Sequence, residues 1–387
     1  MANDSKKAAY RFVILLGFVS LFADVTYEGA RSITGPYLAV LGASATVVGF
    51  FAGLGELIGY GLRLVAGYVT DKTKRYWTIT FIGYTVNLLA VPAMAFAGRW
   101  EFAVCLMVAE RMGKAIRTPA RDAILSHATR EIGVGWGFGL HEALDQIGAM
   151  SGPLIVSVIL LFKGNYQAAF AFLAIPAVLA LGILFRAMTL YPNPTQAKAV
   201  SVPWEGKGFP KTYWLYLAAV ALIAAGYADF PLIAYHFKKI HLASDQWIPV
   251  FYAVAMGVDA LAALVFGRLF DKAGIPILIL SSIFSALFAP CVFRGGFGLA
   301  LCGMVFWGIG MGAQESIMRA AIATMVPLEK RGTAYGIFNT GYGLCWFLGS
   351  AVMGMLYDKS LTLLIVFSVA LQIGAIPLLA AVGKKVQ

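Results

Sequence analysis

Apolar stretches long enough to cross a hydrocarbon layer recur twelve times along this chain and use up almost all of it. They run near residues 11–38, 45–68, 77–98, 100–118, 135–162, 166–188, 213–237, 246–268, 276–293, 297–323, 333–356 and 361–382. A helical span takes about 20 apolar residues, so the pattern predicts an all-α membrane protein with twelve transmembrane helices and short loops. Composition agrees, because a water-soluble chain of 387 residues would have difficulty hiding 60% hydrophobic residues and a mean hydropathy of +0.79.

The net charge of +11 follows topology and not nucleic acid. Lys and Arg are dense in alternate loops and nearby helix ends (Arg11, Arg63, Lys72 to Arg75, Lys114, Arg117, Arg121, Arg130, Arg186, Lys198, Lys207, Arg268, Lys272, Lys330 and Lys384). The intervening loops hold Arg99, Lys163, Lys238, Lys239, Arg294 and Lys359. The positive-inside rule then places both termini in the cytoplasm, which requires an even number of spans. The first span is far longer than a secretory apolar core and no small-residue cleavage site follows it, so it is expected to stay as an anchor in the plasma (inner) membrane. Cys105, Cys291, Cys302 and Cys345 sit inside apolar runs without a Cys-x-x-Cys pair and are expected to be packed free thiols.

A repeat is visible at an offset of about 200 residues. Gly67-x-x-x-Asp71-Lys72 recurs as Gly267-x-x-x-Asp271-Lys272, each at the end of an even-numbered span, and Leu41-Gly-Ala-Ser44 is echoed by Leu242-Ala-Ser244. The Pro- and Lys-rich segment 191–211 is the expected linker between bundles at 1–190 and 212–387. Two six-helix halves related by an axis along the membrane normal are one transporter architecture.

Gly67-x-x-x-Asp71-Lys72-x-x-Arg75 resembles the loop motif between helices two and three of the major facilitator superfamily. Lys74 stands where that motif usually has Gly; the second copy keeps Gly274 but carries Ile275-Pro276 in place of the basic pair. The resemblance covers the whole chain and implies two pseudo-symmetric six-helix bundles that rock about a midplane site, with helices one, four, seven and ten around the central cavity. It implies a gating role for Gly67, Asp71, Lys72, Arg75, Gly267, Asp271 and Lys272. Gly148-x-x-x-Gly152-Pro153 in the fifth span is similar to the antiporter motif of the superfamily's exporters, where small residues permit close helix approach and Pro permits bending.

Charges at membrane depth are costly unless paired or working. Counting about 1.5 Å per residue puts Asp24, Glu56, Glu110, Arg111, Asp145 and Glu315 near mid-bilayer, with Glu28, Arg31, Glu142, Asp229, Asp259 and Arg319 within a few turns. Acids outnumber bases in this set, so some acids are expected to be protonated, wet or occupied by a cation. Asp24, Glu28 and Arg31 share one face of the first span with Tyr27 beside them. By resemblance that face looks into the cavity, making Asp24 the first proton-site candidate; Arg31 clamping Glu28 is the structural alternative. Arg111 occupies roughly the place of a helix-four Arg that the superfamily associates with proton transfer. Glu110 and Lys114 can pair at i,i+4, while Lys114, Arg117 and Arg121 read as positive-inside anchors. His141, Glu142 and Asp145 form a cation ligand set, a proton relay, or a network with Arg111 or Arg117. In the second half, Asp229 is a further cavity candidate and Glu315 with Arg319 a favourably ordered pair. Tyr27, Phe230, Tyr235, Trp307, Tyr342 and Trp346 offer contacts to a hydrophobic or cationic substrate.

These residues predict a proton-coupled secondary transporter, an exporter of a small amphipathic or cationic compound acting as a monomer. An importing symporter of an anionic metabolite and a metal-cation exporter are the alternatives within transport. A membrane receptor lacks a signalling domain, and an enzyme lacks any recognisable catalytic spacing. No Walker loop is present and no cofactor is expected; the partners are protons, a small molecule and the lipid bilayer.

Overall fold

The computed structural model describes residues 2–129, 133–192, 208–327 and 330–386. Arg130, Lys198, Lys207 and most of the predicted linker lie outside the described residues. The described residues form helices and turns, without strands, in twelve successive spans. These are α1 Ala2–Val40, α2 Ala45–Thr73, α3 Tyr76–Phe96, α4 Trp100–Thr129, α5 Val134–Lys163 and α6 Tyr166–Leu190. They continue as α7 Lys211–Lys239, α8 Trp247–Ala273, α9 Pro276–Arg294, α10 Phe297–Met325, α11 Arg331–Lys359 and α12 Leu361–Val386. Ten are apolar enough to cross a membrane on length and composition alone. The other two are α4, laden with charge, and α11, rich in Gly, Tyr and Thr.

Three spans are interrupted, and proline explains where. A proline at position i cannot donate to the carbonyl at i−4 and its ring collides with it. Pro176, Pro231 and Pro290 thus strike Phe172, Tyr227 and Ala286, and the first helical segments of α6, α7 and α9 end at Phe172, Gly226 and Ala286. In α7 the freed carbonyls find donors: Ser368 Oγ bonds Gly226 O at 2.6 Å and Trp307 Nε1 bonds Ala228 O at 2.9 Å. Irregular backbone at membrane depth needs such replacements.

The repeat read from the sequence reappears as backbone geometry. Lys74 and Gly274 both take left-handed φ, +57° and +65°, and each amide bonds a carbonyl four residues back at 2.8 Å. Gly42 and His241 form a second pair, at +84° and +52°, each amide bonding the carbonyl three residues back. Glycine adopts this conformation freely, whereas a residue with a Cβ pays about 1 kcal/mol. Lys74→Gly is therefore expected to stabilise the fold by about 1 kcal/mol, read as a higher thermal midpoint of the purified protein. An unchanged or lower midpoint would contradict this account of the turn.

By internal contacts the chain divides into two compact units, Met1–Thr34 with Ile58–Val200 and Asp245–Ala253, and Gly35–Leu57 with Ser201–Ser244 and Val254–Gln387. In the first unit α3 and α4 touch backbone to backbone: a Cβ on Gly83 would lie 2.6 Å from Arg117 N, and one on Gly113 would strike Asn87. In the second unit the start of α2 lies along α11. A Cβ on Gly53 would lie 2.9 Å from Phe347 Cα, and one on Gly354 2.6 Å from Ala45 O. Asp358 of α11 caps α2 there, accepting from Thr46 N at 2.8 Å, Thr46 Oγ1 at 2.6 Å and Ala45 N at 3.3 Å. All four cysteines are free, as expected; Cys291 and Cys345 are half-buried, whereas Cys105 and Cys302 are exposed and not packed.

Candidate functional site

One polar cluster in the first unit gathers most of the predicted charges. Helical spacing puts Ser20, Asp24 and Glu28 four residues apart on one stripe of α1, and all three are buried. Asp24 hydrogen-bonds Tyr27 and has Asp145, Lys114 and Arg117 as electrostatic neighbours. Glu28 accepts from Tyr252 Oη at 2.5 Å and faces Lys114 Nζ at 3.9 Å, with Arg31 and Arg111 as further charged neighbours. Glu28 is thus held by Tyr252 of α8 together with the charge of Arg31 on its own helix. Arg31 is half-buried.

The small residues of α5 explain why Asp24 is shielded. A Cβ on Gly148 would lie 2.8 Å from Asp24 Cβ and 2.5 Å from Leu21 O; one on Gly152 would lie 2.5 Å from Val25 O and 3.0 Å from Gly29 N. Gly148 and Gly152 therefore press α5 onto the backbone of α1 at Asp24, just before Pro153.

Two corrections concern α4. Lys114 and Arg117 are not surface anchors. Lys114 Nζ sits 3.9 Å above the Tyr27 ring and Arg117 is 1% exposed, its guanidinium 4.1 Å from the Tyr84 ring. Such cation–π contacts are worth about 2 kcal/mol when desolvated. Arg117 Nε and Nη1 have no hydrogen-bond partner among the described residues. The helix explains the misplacement: α4 runs through Pro119 to Thr129, eleven residues beyond the expected end at 118, which draws these bases into the span. With Lys114, Arg117 and Arg121 among the acids, the expected excess of buried acid over base disappears in this unit. Arg121 pairs with Asp122 at 2.8 Å and donates to Ser20 Oγ at 3.2 Å.

Glu110 turns toward α3, accepting from Asn87 Nδ2 at 2.8 Å, with Arg111 Nε 3.4 Å away. It pairs with Arg111 more closely than with Lys114. On α5, buried His141 lies 3.0 Å from Ser20 Oγ and 3.8 Å from Asp145 Oδ2 through the same Nε2, while Glu142 is exposed. The three therefore do not form a ligand set, and no group of three or more His, Cys, Asp or Glu suited to a metal occurs among the described residues.

The second unit holds Asp229 at the break in α7. It is buried and accepts from Trp346 Nε1 at 2.8 Å. Tyr227 lies 5.4 Å from Trp307 and 5.5 Å from Trp346, and Tyr342 5.4 Å from Trp346. Phe230 stands 6.4 Å from Trp307, and Tyr342 Oη donates to Gln314 at 2.7 Å. Tyr235 donates instead to Ala43 O at 3.2 Å. Glu56 is half-buried, while Glu315 and Arg319 lie on an exposed face of α10. Asp71, Lys72, Arg75, Asp271 and Lys272 are all exposed, and neither Gly67 nor Gly267 is crowded; the nearest atom to a Cβ on Gly67 is Pro119 Cβ at 3.7 Å.

Sequence reasoning missed Ser20, Asn87, Tyr252 and Gln314. Ser20 extends the i,i+4 stripe of Asp24 and Glu28, and Asn87 is a lone amide in an apolar span, so both carried a signal. Tyr252 and Gln314 carried none that separates them from their neighbours.

The family model described as Major Facilitator Superfamily matches residues 14–350. An uncharacterized protein of Mycobacterium tuberculosis (strain ATCC 25618 / H37Rv) is 40% identical over 97% of this chain and 93% of its own length. An uncharacterized MFS-type transporter of Methanocaldococcus jannaschii is 25% identical over 92% of this chain and 91% of its own. The crystal structure of a POT family transporter in complex with a thioalcohol conjugated peptide has a TM-score of 0.76 at 13% identity, covering 97% of each chain.

Proposed function

The chain belongs to the Major Facilitator Superfamily, and on that premise we propose that this multi-pass membrane transporter uses protons to export a small amphipathic or cationic compound. The observation that carries the reading is Asp24, a carboxylate buried at mid-span beside a second acid, Asp145. Two neighbouring acids with Lys114 and Arg117 alongside hold either a proton or an added cation, so substrate and proton compete for the same charge. Alternating access then converts that competition into antiport, with the repeats at 1–190 and 212–387 rocking about the 191–211 linker. The close contact of Gly148 and Gly152 with α1 supports export. The charge bias supports both termini lying in the cytoplasm, and the proposed transporter works as a monomer in the plasma (inner) membrane.

A second reading is import of an anionic metabolite with protons, favoured by the guanidinium of Arg117, buried without a full set of acceptors. Purified protein in liposomes separates the two. Under an imposed pH gradient, antiport moves cationic amphiphiles against the proton flow, and symport moves anions with it. If neither class moves and no proton flux accompanies either, proton-coupled transport is wrong.

A further inference from the structure

His141 has neighbours on two other helices, α1 and α4, that the carrier role of Asp24 does not explain. It is 3% exposed. Its Nε2 meets Ser20 Oγ at 3.0 Å and Asp145 Oδ2 at 3.8 Å. Nδ1 and Asp145 Oδ1 are buried and have no hydrogen-bond partner among the described residues. Ser20 is itself fixed by Arg121, which is locked to Asp122, a residue whose side chain is 44% exposed. The charged and titratable groups facing this position are Asp24 of α1, Arg117, Arg121 and Asp122 of α4, and Glu142 and Asp145 of α5; Tyr84 of α3 lies beyond Arg121.

We propose that His141 relays protons between water and the Asp145–Asp24 pair, with Ser20 and Arg121 positioning its ring. The proposal rests on the reading of Asp24 as the proton carrier and names the route to it. A neutral imidazole always offers one nitrogen without a proton. Whichever tautomer is present, that nitrogen is either Nε2, between Ser20 and Asp145, or the unpartnered Nδ1. Arg121 cannot be a link, because its guanidinium does not release a proton; it holds Ser20, and Ser20 holds the ring. Glu142, next in sequence, is exposed, so the same turn of α5 reaches the outside of the packed helices. Hydronium gives its proton to the open ring nitrogen and leaves as water. The Nε2–H bond then breaks as a bond forms to Asp145 Oδ2, once the 3.8 Å gap closes by about 1 Å to hydrogen-bond distance, and Asp145 passes a proton on to Asp24.

The test uses the full chain in detergent micelles, with the proton itself as probe. After a rapid drop in pH, uptake is followed with an indicator dye, and the portion belonging to Asp24 is the uptake missing in Asp24→Asn. His141→Gln is expected to slow that portion at least about tenfold, the low end of what a positioned proton-transfer group supplies, without changing its final amount. His141→Ala should show the same slowing, and free imidazole in the buffer should restore the rate in proportion to the imidazole present. A merely structural defect would not follow that proportion. Ser20→Ala, which keeps the ring but loosens it, should fall between. An unchanged uptake rate in both His141 variants overturns the relay. If Asp24→Asn removes no uptake from the wild-type signal, the carrier reading itself fails, a separate result.

Discussion

Asp24→Asn should give a folded protein that no longer couples proton movement to substrate movement, with proton-driven flux falling about 100-fold or to background. Asparagine keeps the size of the side chain, its packing against the Gly148 backbone and a hydrogen-bonding group for Tyr27. What disappears is the single charge that a proton or a cation can neutralise. The effect on stability is expected to be small, because the carboxylate faces both a repelling acid, Asp145, and attracting bases, Lys114 and Arg117. Removing it relieves one interaction while losing the other. Vesicle flux under a pH gradient, alongside a thermal melt, separates the two consequences: normal coupled flux would remove Asp24 as carrier, and a collapsed melt would make it structural.

Gly152→Leu is expected to destroy the packed protein outright, and even Gly152→Ala to destabilise it by about 3 kcal/mol, the upper range for overpacking. The first added carbon would meet Val25 O at 2.5 Å and Val25 Cα and Gly29 N at 3.0 Å. These are backbone atoms of α1, which cannot rotate away as a side chain would. Size-exclusion profile and melting temperature read the outcome. The contrasting variant is Gly67→Ala, where the nearest atom is 3.7 Å away and a helix-interior glycine is itself unfavourable by about 0.5–1 kcal/mol. A well-packed Gly152→Ala protein would show that the α1–α5 contact is looser than the structure has it.

The spans were legible because hydropathy over about 20 residues is a strong, local signal. The twofold repeat was legible because the same turn needs the same backbone, as Lys74 and Gly274 demonstrate. The depth of individual charges was less so, since it depends on where a helix stops. Reading α4 as ending at Arg117-Thr118 made Lys114 and Arg117 loop anchors; the continuation through Pro119 to Thr129 buries them against Tyr27 and Tyr84. Partners from distant helices were beyond reach for the same kind of reason. Nothing local in α8 distinguishes Tyr252, which holds Glu28, from any other aromatic residue of a membrane helix. Sequence could place Asp24 and Glu28 on one face. It could not say that the first would be walled in by glycines and the second held by a phenol.

The start of α2 is capped from two sources: its own Ser44 Oγ accepts from Val47 N at 3.3 Å, and the carboxylate of Asp358, on α11, takes the two amides before it. The first amides of a helix have no partners inside it; here two of them, Ala45 and Thr46, are shielded by a side chain more than three hundred positions along the chain. Their resistance to deuterium therefore reports whether α11 is seated against α2, and not whether α2 is helical. Any step of a transport cycle that unseats it would be written into those two amides without a probe being attached.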